Sequence, residues 1–134
     1  MLRTPVSVSS EVFVLLARVM GVFESMYRRL VEACMSRELP LVVCTIYNGN
    51  FADQEFQVMA RVAVAAFNDA ILRIAMEKGL LAIDLRLVCA LPEDYANPIE
   101  PSAIGGNKIA WAIWRTVSRK KGASEQATAV RSRK

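Results

Sequence analysis

Only two stretches of this chain have the composition of a buried β-strand, and one long helical pattern separates them. Leu41–Tyr47 (LVVCTIY) is β-branched and almost uniformly apolar. Leu81–Val88 (LAIDLRLV) places Asp84 and Arg86 on one face and Ile83, Leu85 and Leu87 on the other. Apolar runs of this kind belong to parallel sheets covered on both faces. Parallel strands need a crossover, so the segment between them should be helical. Its signals agree: Asn48-Gly49-Asn50 is a turn, Asp53 an N-cap and Gly79 the closing left-handed residue. Phe56, Met59, Ala60, Ala63, Phe67, Ala70, Ile71 and Ile74 supply the buried face that the spacing predicts.

A helix also precedes and follows this unit. Ser9 and Ser10 stand before a run in which Phe13, Leu16, Met20, Phe23, Tyr27, Leu30 and Cys34 recur at steps of three and four. Gly21 is a weak point inside that helix, and Pro40 must end it. Ser102 can cap a last helix through Lys108, Ile109, Trp111, Ile113 and Trp114. The order helix, strand, helix, strand, helix predicts an α/β fold with a parallel sheet and right-handed crossovers. Two such strands leave edges unpaired, so the sheet is expected to be incomplete. Its missing strands would come from an upstream segment, another chain or a second copy.

The 134 residues suit one domain, and the 54% hydrophobic content excludes a disordered polymer. Apolar stretches such as Val12–Ala17 are far too short to span a bilayer or form a signal-peptide core. Cys34, Cys44 and Cys89 form no CxxC pair, and the chain has no histidine to share a metal with them. Free thiols in a reducing, cytoplasmic setting are expected, with no metal and no cofactor. The net charge of +4 is concentrated at the end. From Arg115 onward, Arg119, Lys120, Lys121, Arg131, Arg133 and Lys134 face Glu125 alone. The division expected is a domain over 1–117 and a basic, disordered tail over 118–134. That tail has no aromatic residue for base stacking, so nucleic acid is not an expected partner.

Three stretches resemble the second half of the SGNH, or GDSL-type, serine hydrolases: LPLVVCTIYNG (Leu39–Gly49), FNDAILRIA (Phe67–Ala75) and LAIDLRLVCALPEDYANPIEPSAIGGNKIA (Leu81–Ala110). The resemblance covers roughly Ser7 to Ile113, and it rests most on the loop with Pro98, Pro101, Ser102 and Gly106. It implies a three-layer, flavodoxin-like parallel sheet and hydrolysis of small esters or acyl groups. In that family an Asp, and a His three residues later, occupy this loop. Here those places hold Asn97 and Glu100. The family's Gly-Asp-Ser nucleophile block and its oxyanion-hole blocks match no segment, and LRTPVSVSS resembles the linker that follows them. The chain thus resembles a carboxyl-terminal half, to be completed by an upstream half.

The substitutions matter chemically. A serine nucleophile needs an imidazole within hydrogen-bond reach and a carboxylate to orient it. Glu100 could serve as a base only if burial raised its pKa, and Asn97 carries no charge. The chain alone is expected to be inactive, an incomplete or degenerate hydrolase. The alternative is a non-catalytic α/β interaction module that pairs its strand edge with a partner or forms a homodimer. Other candidates read as structure. Tyr47 and Asn48 sit where turn chemistry explains them, and Asp84 with Arg86 is an ion pair or helix contact. Glu93 and Asp94 are expected to face solvent and lack a third metal ligand. Gly105-Gly106 lacks the phosphate-loop spacing and should pack a helix against the sheet. Trp111 and Trp114 share a helical face suited to a core or an interface.

Overall fold

The computed structural model describes residues 6–37 and 39–131, with side chains described over 10–37 and 39–119. Its elements run α1 (Val6–Met35), β1 (Val42–Cys44), α2 (Gln54–Glu77), β2 (Leu81–Ile83), α3 (Leu85–Val88), a 3-10 turn (Pro92–Asp94) and α4 (Ala103–Arg131). The chain divides into two compact units at Leu39–Pro40, and α1 belongs to the first.

In the second unit β1 and β2 pair in parallel, Val42 with Leu81, Val43 with Ala82 and Cys44 with Ile83. Among the described residues this is the whole sheet. The expected α/β, three-layer flavodoxin-like sheet is therefore not what the chain forms. Among the described residues the architecture is mostly helical, with four helices where three were expected and two strands of three residues each.

Side chains explain why both strands stop early. Thr45 continues the ladder by one bond, its N–H donating to Ile83 O at 2.9 Å. The next residue then leaves it. Asn68 of α2, completely buried, accepts from Ile46 N–H at 2.7 Å and donates to Ile46 O at 2.8 Å. A side-chain amide thus takes both groups that a neighbouring strand would use. The second run ends at Asp84, whose carboxylate accepts from Arg86 N–H at 3.1 Å and starts the turn of α3. Thr45 Oγ1 accepts from Leu85 N–H at 2.8 Å and donates to Asp84 Oδ1 at 3.0 Å. Leu85–Val88, read from sequence as strand, is one helical turn because these bonds satisfy its backbone locally.

Helix α2 keeps its sequence signals. Asp53 accepts from Phe56 N–H at 3.0 Å, and Gly79 takes φ of 65° just past the end. Helices α2 and α4 both pack on β1 and β2. The core is Val43, Ala70, Ile71, Ile74, Ala75, Ile83, Leu85 and Cys89. The predicted face of α2 holds at its carboxyl-terminal end only. Phe56 and Met59 are exposed, and Phe56 packs edge-on against Phe51 instead. Gln57 takes the buried place at that end, accepting from Phe51 N–H at 2.7 Å. No helix of the described residues is long and apolar enough to cross a membrane.

Candidate functional site

The chain leaving α3 forms a compact, hydrogen-bonded loop that ends at the cap of α4. The 3-10 turn closes with Asp94 N–H on Leu91 O, and an isolated antiparallel bridge joins Tyr95 to Pro101. Between them, Ala96 N–H donates to Glu100 O at 2.9 Å. The turn leaving β1 meets this loop directly. Tyr47 donates its hydroxyl to Ile99 O at 2.8 Å, and Asn50 N–H donates to Pro98 O at 2.9 Å. Gly49 sits at φ of 73°, and a Cβ there would strike Pro98 O and the Phe51 ring. The loop is built onto the end of the sheet.

Asn97 and Glu100 do come together. Asn97 Nδ2 donates to Glu100 Oε2 at 2.5 Å, while Asn97 Oδ1 accepts from the N–H groups of Ile99 and Glu100 at 3.0 and 2.9 Å. The pair is a turn that closes on itself, and it lies at the exposed surface. Glu100 is exposed and not buried. The nearest hydroxyl along the chain is committed elsewhere. Ser102 Oγ donates to Glu93 O at 2.6 Å and accepts from Ile104 and Gly105 N–H at 3.2 Å, the cap expected of it.

The loop's buried group is Asp94, not Glu100. Asp94 is fully buried, which corrects the expectation that both acidic residues of the Glu93-Asp94 pair face solvent; Glu93 alone does. Asp94 Oδ1 accepts from Lys108 Nζ at 2.6 Å and Oδ2 accepts from Leu91 N–H at 3.0 Å. The Lys108 ammonium holds the Asp94 carboxyl below its ordinary value, and Asp94 raises Lys108 in return. Gly105 is buried against the Asp94 backbone, so it serves a loop contact, while a Cβ at Gly106 would meet nothing within 4 Å. Sequence reasoning missed this Asp94–Lys108–Gly105 knot. Its one readable signal was the spacing of an acidic residue, a cap serine and a lysine six residues after that serine.

Burial and ion pairing shift several other titratable groups. Burial pushes the Cys89 thiol up, as it does Cys44, so neither is poised as a thiolate. Burial also raises the Tyr47 and Tyr95 phenols, and Tyr95 donates to Cys89 O at 2.8 Å. Asp84 is held at about 2 by hydrogen bonds from Arg86, whose Nε and Nη2 reach Oδ1 and Oδ2 at 2.8 and 2.6 Å. The ion pair expected there is present, but it caps a helix rather than sharing a strand face. Trp111 and Trp114 are 65% and 66% exposed, which removes the core reading for both. Among the described residues no three His, Cys, Asp or Glu side chains gather as metal ligands. The tail's side chains from Lys120 lie outside the described residues, so the expectation about nucleic acid lies there too.

No protein-family model, curated protein or solved structure matches this chain.

Proposed function

We propose that this chain is a non-catalytic interaction module that pairs with a second copy of itself through α1. The observation that carries this reading is a second apolar stripe on that helix. Val12, Leu15, Val19, Val22 and Met26 follow one another at steps of three, four, three and four, and all are 46–63% exposed. That is the 3.5-residue spacing of a helix–helix seam. Helices in proteins draw most of their stability from packing an amphipathic face, so a helix with an open apolar stripe calls for a partner. The stripe is nearly symmetric about its centre. An antiparallel copy would set Leu15 against Met26 and Val19 against Val22, with Gly21 and Ser25 beside them allowing close approach. Leu30, 59% exposed, extends the stripe. With on the order of 100 Å² open on each side chain, two copies would bury up to about 1,000 Å² in total, the lower limit of a biological interface. The sheet edges, three residues long, offer a strand partner far less. Three free cysteines fit a reducing, cytoplasmic setting.

Sedimentation equilibrium tests it. The chain should reach a dimer as its concentration rises, and Val22→Glu should be monomeric with unchanged far-UV circular dichroism. A monomer at every concentration would overturn the reading.

A second reading is favoured by the Asn97–Glu100 contact at 2.5 Å, at the two positions where the SGNH-type hydrolases carry Asp and His. In it the chain is the carboxyl-terminal part of a degenerate hydrolase that would act on small esters once an upstream half supplied the nucleophile and oxyanion hole. Glu100 exposed and tied to an amide argues for no turnover by the chain alone. A chromogenic ester assay should stay at background, and turnover abolished by Glu100→Gln would make Glu100 a base.

A further inference from the structure

Where β1 and β2 end, a cavity of about 240 Å³ opens between the Asn48–Asn50 turn, α2, α3 and the loop. Asn48, Asn50, Arg61, Arg86, Leu91 and Tyr95 are among the residues that line it. The polar groups of this wall divide into two sets. Arg86 is fixed on Asp84 through Nε and Nη2, and the Tyr95 hydroxyl is held by Cys89 O. The side-chain amides of Asn48 and Asn50 and the guanidinium of Arg61 bond to nothing among the described residues.

The charges do not balance either. Two guanidinium groups line one small cavity, and among the described residues only one of them has a carboxylate paired with it. A guanidinium with free donors next to two free amides is the donor set that recognises a planar or tetrahedral oxyanion. We infer that this cavity binds a small oxyanion-bearing molecule, a carboxylate or a phosphate, with Arg61 as its charged ligand and Asn48 and Asn50 as flanking donors. The volume limits the ligand. At about 30 Å³ per water it displaces roughly eight waters, so the ligand has on the order of ten non-hydrogen atoms. The place is the usual one for ligands in sheets with parallel strands, outside the carboxyl ends. Gln57 and Gly49 keep the turn in position from below, through Phe51 N–H and the left-handed backbone.

This site lies wholly in the second unit and does not depend on pairing through α1. Isothermal titration of the full chain with inorganic phosphate, and separately with acetate, at constant ionic strength set by chloride, tests it. Saturable binding of at least one is expected, weakened about tenfold or more in Arg61→Gln, a change at an exposed position that should leave the circular dichroism unchanged. Asn50→Ala, also exposed, should weaken it as well and serves if the arginine variant fails to fold. Phosphate alone binding would assign phosphoryl ligands, and acetate alone would assign carboxylates. No saturable heat with either, or equal binding by both variants, overturns the inference.

Discussion

Adjacent glycines at the start of α4 should respond oppositely to the same substitution. Gly105 is buried, and a Cβ there would run into the carbonyl oxygen of Asp94. That oxygen is not free to move, because it accepts from Ser102 N–H at 2.8 Å. The residue that carries it is anchored by Lys108 and by Leu91 N–H. Overpacking against fixed backbone costs about 3 kcal/mol, and losing the Ser102 bond adds about 1 kcal/mol. The helix propensity of alanine returns about 1 kcal/mol. Gly105→Ala should therefore destabilise the second unit by about 3 kcal/mol. At Gly106 a Cβ meets nothing within 4 Å, so only the propensity gain remains. Gly106→Ala should stabilise by up to about 1 kcal/mol. Urea unfolding followed by the fluorescence of Trp111 and Trp114, both on α4, reads the two variants directly. A Gly105→Ala protein as stable as the parent would refute the close packing of loop on helix. So would equal shifts for the two variants.

Asn68→Ala should cost about 2–3 kcal/mol in the same assay, since it strips Ile46 of both backbone partners, with water restoring part of the loss. Asn68→Asp should cost at least as much, because a buried carboxylate cannot donate to Ile46 O. The pH dependence has a definite sign. Asp84 lies well below its ordinary value, at about 2, so its contribution is present above about pH 4 and is lost as pH falls toward 2. After screening at this partly exposed pair it is on the order of 1 kcal/mol, and Asp84→Asn should flatten stability across that window. Finally, Cys89, 1% exposed, should resist a thiol reagent until the protein unfolds.

The punctuation of the chain was legible because it depends on single residues. Asp53, Ser102 and Gly79 act where the sequence placed them, each satisfying local backbone groups or a left-handed turn. The two strand positions were legible as well, since β-branched apolar runs between a helix end and a turn have few other uses. Their lengths were not. Whether Ile46 or Leu85 continues a ladder depends on Asn68 and Thr45, which come from other elements. Alternation of apolar residues carries no trace of such bonds. Nor could spacing distinguish Asp94 from Glu93, because burial of a carboxylate is decided by Lys108, which lies fourteen residues further on. Asn97 and Glu100 were found together, as their sequence separation allowed, but only the fold fixed them as a self-closing surface turn. The sequence by itself determined the caps at Asp53 and Ser102, the turn at Gly79 and the places of the two strands. The tertiary structure decided how far each strand runs and which charges are hidden, because those depend on hydrogen bonds between residues far apart in the chain.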